Sequence, residues 1–473
     1  MSSMICVGIG DARHDTSIAA FIDGKFKYRK SERHLGIKHH QADHEWYQSV
    51  LKDWGIEEKD IFRKVYTDKG KKTLLGKVRK PYHGEEYLIE DGGICIDHHT
   101  AHLYSTQSTA KQHAVFDGLG SGGRKGRWTG LTKTPKRQRR LRNLSIGKYL
   151  TYVGHAMEFT GMEVDYPGKV MGLQAYGTPD LKLARQITED NILGLCGEWM
   201  RRGVDSKDPK FQDFVATVHK ACELIQLDHF EEFDRTEKIA CSGGVMLNTV
   251  INTELRKKYD LEICPHVYDG GLSIGALRYA VGYDFDIPDF PYIQDDYAPE
   301  EVTDETIENA AELLAQGKIV GWYQGYGEVG PRALGNRSIL MSPMIKDGKD
   351  ILNSRVKRRE WWRPFGASVI KERALDYFDI GDSPYMLYNG RIKVSGLDPI
   401  THVDGTCRHQ TVTYNSNPAF YKLLSAFEKR TGCPVLLNTS LNIGGKPIAS
   451  TPETSLVPGL DTLFIGNLVN TYT

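Results

Sequence analysis

Apolar and polar positions in the first thirty residues fall into three short runs. Ile5-Cys6-Val7-Gly8-Ile9 and Thr16-Ser17-Ile18-Ala19-Ala20-Phe21-Ile22 are compact and β-rich, and Lys25-Phe26-Lys27-Tyr28 alternates. Runs of this kind bounded by turn residues predict strands. Asp23-Gly24, between the second and third, predicts a hairpin, because a two-residue β-turn needs residues that tolerate positive φ. The connection Gly10-Asp11-Ala12-Arg13-His14-Asp15 is polar and predicts a loop. Helices are predicted at 41–55, 147–158, 180–190, 207–226 and 304–316. In 207–226, Phe211, Phe214, Val215, Val218, Cys222, Leu224 and Ile225 make one broad apolar face. Short buried-type runs at 94–96, 113–116, 239–241, 261–265 and 319–323 predict further strands, and 69–84 is a basic, Gly-interrupted loop or hairpin.

Strands alternating with helices predict an α/β chain. At 473 residues it is too long for one ordinary core. Residues 283–302 are acidic and Pro-rich without period, which predicts a first domain over 1–285, a linker at 286–302 and a second domain over 303–473. Lys+Arg and Asp+Glu both number 61, so no overall field attracts nucleic acid or an anionic membrane. No run approaches the roughly 20 apolar residues of a membrane span. The first residues read as a strand rather than a signal peptide, and the eight cysteines are scattered with no C-x-x-C. A cytoplasmic protein with reduced thiols is expected.

The chemistry-bearing residues lie at the ends of these runs. Asp97-His98-His99-Thr100-Ala101-His102 follows a short strand, and His98 and His102 share one face if a helix begins there. They are either a metal-binding pair or solvated and capping histidines. Asp117 ends a predicted strand and precedes a glycine-rich turn containing Gly120, where it would meet a metal or a phosphate. Ser242-Gly243-Gly244, between a strand and a helix near Asn248, has the form of a phosphate cradle. Asp269 precedes Gly270-Gly271 and is a second acidic candidate. His14 and Asp15 are candidates for chemistry or members of a hydrated turn, and Lys169, between glycines, could reach a phosphate. The basic run at 133–142 is either a solvated hairpin or the footprint of an anionic partner. In the C-terminal part, Arg332, Arg337, Asn353, Lys357, Arg363, His402, Arg408, Asn438 and Ser440 stand in four Gly- or turn-containing blocks, which are either a grip on a small dense anion or a structural ion-pair network.

Taken in order, these blocks resemble the O-carbamoyltransferase family of nodulation-factor and antibiotic carbamoyltransferases. The resemblance is carried by Gly330-Pro331-Arg332-Ala333-Leu334-Gly335-Asn336-Arg337-Ser338, Arg363-Pro364-Phe365, His402-Val403-Asp404-Gly405-Thr406, Leu437-Asn438-Thr439-Ser440, His98-His99-Thr100-Ala101-His102 and Gly168-Lys169-Val170-Met171-Gly172-Leu173. It implies an N-terminal actin-like domain similar to the threonylcarbamoyl-transfer enzyme of tRNA, and a C-terminal α/β domain that forms carbamoyl-adenylate. Carbamoyl phosphate and ATP would give carbamoyl-adenylate and pyrophosphate, and the carbamoyl group would pass to an acceptor hydroxyl with release of AMP. His98, His102, Asp117 and Asp269 match the family's metal ligands, for iron first and manganese or magnesium as alternatives. Gly120, Lys169, Ser242, Gly243, Gly244 and Asn248 would hold nucleotide. His14, with Asp15, would deprotonate the acceptor. Arg332, Arg337, Asn353, Lys357, Arg363, His402, Arg408, Asn438 and Ser440 would hold carbamoyl phosphate and the ATP phosphates. The expected acceptor is a small-molecule or sugar hydroxyl; alternatives are a hydroxymethylated nucleotide or nucleic acid, or an actin-like small-molecule kinase. A homodimer is compatible with this reading, and no membrane partner is expected. The family usually has two histidines before Asp15, where this chain has Arg13-His14, Glu-Glu-Arg where it has Ser31-Glu32-Arg33, and Ala-Pro where it has Gly366-Ala367; the resemblance implies that these departures fall mostly where the acceptor binds.

Overall fold

The three predicted N-terminal strands are β1 (Ile5–Gly10), β2 (Ser17–Ile22) and β3 (Lys25–Lys30), which form an antiparallel meander. Asp23 and Gly24 take φ of 48° and 83°, as their turn requires. The computed structural model in which they are seen describes residues 4–11, 14–68, 72–73, 76–81, 86–89, 91–106, 108–118, 128–142 and 146–472. β4 (Ile61–Asp68) pairs in parallel with β1, and β5 (Ile94–Asp97) in parallel with β4. The order is β3-β2-β1-β4-β5, continued by the antiparallel strands Tyr87–Ile89, Gly76–Pro81 and Lys72–Thr73. One face carries Ile5, Val7, Ile9, Ile18 and Ala20 against Trp46, Tyr47, Val50 and Leu51 of α1 (His44–Asp53). That helix starts three residues later than the expected 41–55, because the Asp43 side chain caps it and accepts the Trp46 N–H at 2.9 Å.

β5 runs directly into α2 (His98–Ser105). A second sheet follows, from β6 (Gln112–Phe116), β7 (Trp128–Lys133), β8 (Gln138–Arg142), β9 (Ile239–Ser242) and β10 (Leu261–Ile263), in the order β8-β7-β6-β9-β10. The basic run is therefore the β7–β8 hairpin, with Lys136, Arg137 and Arg139 exposed to solvent. α3 (Leu272–Val281) packs on β1, where a Cβ at Gly8 would stand 2.2 Å from the Leu277 nitrogen. These elements make one compact unit of Met1–Gly147, Asp228–Leu247 and Leu255–Asp296.

The second unit contains Lys148–Leu227, Asn248–Glu254 and Tyr297–Thr473. Its mixed sheet has β11 (Val320–Tyr323), β12 (Arg337–Met341), β13 (Gly366–Ile370), β14 (Gly390–Arg391), β15 (Thr406–Val412), β16 (Val435–Ser440), β17 (Thr462–Ile465) and β18 (Leu468–Thr471). The order is β14-β15-β13-β16-β12-β11-β17-β18. Ile307, Ala311 and Leu314 of α4 (Asp304–Ala315) and Phe420, Leu424 and Phe427 of α5 (Pro418–Thr431) share a core with Trp322, Leu340, Leu436 and Phe464.

These units differ from the contiguous division at 285 and 303. Trp362 Nε1 donates to the Lys169 carbonyl at 2.9 Å, and Asn252 Nδ2 to that of Leu387 at 3.0 Å. Such bonds join segments far apart in sequence, and local period carries no trace of them. The helix expected at 180–190 is two, Leu181–Ala184 and Glu189–Arg202, separated by a capping box at Thr188. Among the described residues no helix is long and apolar enough to cross a membrane.

Candidate metal centre and anion site

Asp97 caps α2: its Oδ1 accepts the N–H groups of His99 at 3.0 Å and Thr100 at 3.2 Å. The cap fixes the first turn, so His98 and His102 stand one turn apart and meet edge to face, with ring centroids 4.8 Å apart and planes at 81°. Both are fully buried. Asp117 follows β6, and Asp269 opens the turn before α3. His98 Nε2 is 2.9 Å from Asp117 Oδ2 and 3.4 Å from Asp269 Oδ1; His102 Nε2 is 3.5 Å from the same Asp269 oxygen. One potential ligand atom from each of the four lies within 4.8 Å of all the others.

The donor set fits a divalent metal. Neither ring nitrogen of His102 has a hydrogen-bond partner, although the residue is buried. Leaving a buried polar group unsatisfied costs roughly 1–3 kcal/mol, and a cation among two imidazoles and two carboxylates would remove that cost. Burial lowers the pKa of His102 and favours the neutral, ligating imidazole. Burial opposes ionisation of Asp117 most strongly, but the hydrogen bond with His98 and the charges of His98 and His102 together outweigh it and hold the carboxyl below the usual range.

Close backbone approaches set this geometry. A Cβ at Gly275 of α3 would lie 1.9 Å from the Ala101 carbonyl oxygen of α2. His266 Nε2 is 2.9 Å from the Ser105 carbonyl, and the Ser242 hydroxyl donates to the His102 carbonyl at 2.8 Å. Gly243 has φ of 92°, and a Cβ there would meet the Phe116 carbonyl at 2.1 Å. A Cβ on Gly244 would stand 3.2 Å from Asp117 Oδ1. Ser242-Gly243-Gly244, expected to cradle nucleotide, thus seats the helix and strand end that carry three of the four ligands.

The other sequence candidates divide clearly. His14 stands beside the cluster, with Nδ1 2.8 Å from Asp15 Oδ2 and Nε2 3.7 Å from Asp269 Oδ2. Burial opposes ionisation of Asp15, but Lys30, His14 and His39 hold its carboxyl well below the usual range. His39, which nothing in the local pattern singles out, is brought to Asp15 only by the folding back of its loop. Gly120 lies outside the described residues. Asn248 belongs to the second unit, where its Nδ2 is 3.0 Å from His219 Nε2 and its Oδ1 accepts the Ile251 N–H. Lys169 is in the same unit, 3.0 Å from Glu360 and over the Phe159 ring, so its charge is committed.

The second unit holds an unbalanced cluster of guanidinium groups. Burial, then Arg408 and Arg363, push Arg332 well below its ordinary pKa. Burial and the same two neighbours, Arg363 first, do this to Arg359 against the opposing effect of Glu360. Burial pushes Arg408 down to about 10, and Arg363 adds to it. Glu360 is the carboxylate beside them, and it is shared between Arg363 at 3.3 Å and Lys169 at 3.0 Å. The Nε atoms of Arg332 and Arg408 are buried without a partner. Like charges held together, with donors unused, have the chemistry to receive a dense anion. Asn353 Oδ1 accepts from Arg359 Nε at 3.2 Å, and Asn438 Nδ2 donates to the Ala333 carbonyl at 3.2 Å, so both support this cluster. Beside Arg359 a recess of about 400 Å³ is lined by Asp350, Asn353, Ser354, Arg358 and Trp361.

Four candidates prove to be committed elsewhere. Arg337 is fully buried, donates to the carbonyls of Gln324, Asn336 and Tyr297, and stacks 3.6 Å from the Tyr323 ring centre. Lys357 Nζ donates to the Ser440 carbonyl at 2.8 Å and the Asn442 carbonyl at 2.9 Å, while Ser440 Oγ donates to Asn442 Oδ1 at 2.7 Å. His402 Nε2 is 2.9 Å from the Gly172 carbonyl. The bonded atoms of these four residues tie loops together. Arg359, absent from the sequence candidates, takes their place; nothing local separates it from Arg355 and Arg358.

The family described as Carbamoyltransferase C-terminus matches residues 311–471. Nodulation protein NolNO of Sinorhizobium fredii is 34% identical over 373 residues, which are 68% of this chain and 53% of that protein. The 3'-hydroxymethylcephem-O-carbamoyltransferase of Streptomyces clavuligerus is 32% identical over 307 residues, 59% of this chain and 58% of that protein. The chain thus spans little more than half the length of these relatives. Among solved structures, component A of the Acidaminococcus fermentans (R)-2-hydroxyglutaryl-CoA dehydratase aligns at a TM-score of 0.39 and 13% identity, over 59% of this chain and 98% of that one. Residues 311–471 thus match the carbamoyltransferase C-terminal family, and over 68% of its length the chain is similar to the nodulation protein NolNO.

Proposed function

We propose that this protein is an ATP-dependent O-carbamoyltransferase. The second unit activates carbamoyl phosphate with ATP to carbamoyl-adenylate, releasing pyrophosphate. The balance also requires one water and releases the phosphate of carbamoyl phosphate. The first unit then passes the carbamoyl group to an acceptor hydroxyl, and AMP leaves. The antiparallel β1-β2-β3 meander, extended by parallel β4 and β5, supports an actin-like reading of the first unit. The eight-stranded mixed sheet is read as the carbamoyl-adenylate-forming domain.

The observation that carries the proposal is the arginine cluster, which lies inside the segment matching the carbamoyltransferase C-terminus. Arg332, Arg359, Arg363 and Arg408 grip the dense negative charge of carbamoyl phosphate and the triphosphate, and balance it as pyrophosphate departs. In the first unit, Asp15 orients His14 through Nδ1, and Nε2 takes the proton of the acceptor hydroxyl. Asp97 and Ser242 hold α2 in place beside it. A divalent metal, iron first and manganese or magnesium as alternatives, would be held by His98, His102, Asp117 and Asp269 and would supply Lewis acidity toward a carbamoyl or phosphate oxygen. The exposed cations of the β7–β8 hairpin are largely solvated, and Arg137 is paired with Glu232 at 2.7 Å. The acceptor is therefore read as a small-molecule or sugar hydroxyl. Eight buried free cysteines support a reducing, cytoplasmic setting.

Incubation with ATP and labelled carbamoyl phosphate, in the presence of iron, manganese or magnesium, tests the reading. It predicts AMP, pyrophosphate and a labelled adenylate. ADP in place of AMP would identify a kinase, and no labelled adduct with any of the metals would reject carbamoyl activation.

A further inference from the structure

We infer that His39 is a positioning residue for His14 and acts through Asp15; the inference rests on the base role proposed for His14. Asp15 and His39 are 24 residues apart and both adopt left-handed backbone, with φ of 61° and 54°. Side chains other than glycine rarely hold this conformation, and when they do the surroundings over-determine it. Here the surroundings form a closed ring. His39 Nδ1 is 3.0 Å from Asp15 Oδ2, and the His39 N–H donates to Glu32 Oε2 at 2.9 Å. Lys30 Nζ donates to Glu32 Oε1 at 2.7 Å and lies 3.0 Å from Asp15 Oδ1. The adjoining backbone is sewn to the same strand start. Thr16 N donates to the His40 carbonyl at 3.2 Å, Ser31 Oγ to that carbonyl at 3.0 Å, and Ala42 N to Thr16 Oγ1 at 3.1 Å.

The ring matters because of what Asp15 does with its remaining capacity. Lys30 holds Oδ1, His14 Nδ1 is 2.8 Å from Oδ2, and His39 Nδ1 spans the two oxygens, 3.1 Å from Oδ1 and 3.0 Å from Oδ2. A carboxylate held only by Lys30 could rotate about its Cβ–Cγ bond. His39 removes that freedom. The His14 ring is then fixed with Nδ1–H toward Asp15 and Nε2 toward Asp269, whose Oδ2 is 3.7 Å away. A carboxylate that orients an imidazole in this way sets which nitrogen carries the proton. A loop anchor alone would need the backbone bonds of His39 and His40, but not the imidazole contact to Asp15.

The full chain with His39→Ala and with His39→Asn separates these roles, because Asn keeps an N–H donor near the place of Nδ1. Nitrogen-15 spectra of histidine-labelled, magnesium-loaded protein report the His14 ring, with its signals assigned by their loss in His14→Asn. Wild type is expected to show one His14 tautomer, protonated at Nδ1. His39→Ala should lose it and slow AMP release roughly 10–100-fold, with first-turnover pyrophosphate release and the KM for carbamoyl phosphate unchanged. His39→Asn should restore both properties. An unchanged His14 tautomer in His39→Ala, or equal loss of AMP release in the two variants, overturns the inference. Absence of any carbamoyl-adenylate from wild type would instead reject the proposed function, while the tautomer measurement would still decide the role of His39.

Discussion

Replacing Asp269 by Asn should invert the order of stability between variant and wild type when metal is added. Asp117 and Asp269 are buried and present oxygens no farther than 4.8 Å apart. At an effective dielectric near 20, two unit charges at that separation repel by about 3 kcal/mol. Asn removes the charge at almost constant shape, so the metal-free variant is expected to match or exceed wild type, by up to that amount. With metal the balance reverses. A wild-type site at 100 times its Kd gains about 2.7 kcal/mol. At roughly 2–4 °C per kcal/mol for a unit of 150–250 residues, this amounts to about 5–11 °C. The variant, short of one charged ligand, should gain little. Thermal melts of chelator-treated protein, with and without anaerobic iron(II), manganese or magnesium, measure both effects. A variant less stable than wild type without metal, yet raised by metal to the same extent, would refute the reading of these four residues as one metal site.

Gly275→Ala should destabilise the protein by at least about 1–3 kcal/mol in denaturant unfolding and weaken metal uptake, because the new Cβ meets the Ala101 carbonyl oxygen at 1.9 Å. Arg332→Met combined with Arg408→Met should leave the melting temperature unchanged or raised, since it relieves repulsion. The same variant should lower pyrophosphate affinity by tenfold or more in calorimetry; unchanged affinity would move the anion site elsewhere. His219 is fully buried and held by burial near pKa 4, below its ordinary value of 6.5. The unfolded chain therefore takes up the proton first. Stability is complete above about pH 6.5 and falls as the pH drops toward 4, by about 3 kcal/mol for this one group. His219→Gln should remove that part of the slope of unfolding free energy against pH.

How much of this was legible in the sequence can be argued from particular residues. The hairpin at Asp23-Gly24, the helix behind Asp43 and the basic β7–β8 hairpin follow from local rules of period, turn and cap. The four metal candidates could also be named, because Asp117 follows a strand, Asp269 opens a glycine turn, and His98 and His102 are spaced one helical turn apart just after a strand. Glycines or a capping aspartate lie beside them. The C-terminal candidates were less legible. Arg337, Lys357, Ser440 and His402 have the residue types of an anion site, yet their polar atoms are used by carbonyls and side chains remote in sequence. Arg359 was hidden among its basic neighbours.

The sequence by itself determined the α/β class, the positions of most strands and helices, and the kinds of residue available for chemistry. These depend on interactions within a few positions, which the order of side chains records directly. Only the tertiary structure decided that Lys148–Leu227 belongs with the C-terminal sheet, that Ser242 braces His102, and that His39 reaches Asp15. Those outcomes depend on which buried donors and acceptors meet after the chain closes on itself. A buried polar group must find a partner wherever one is offered, and local pattern does not say where that is.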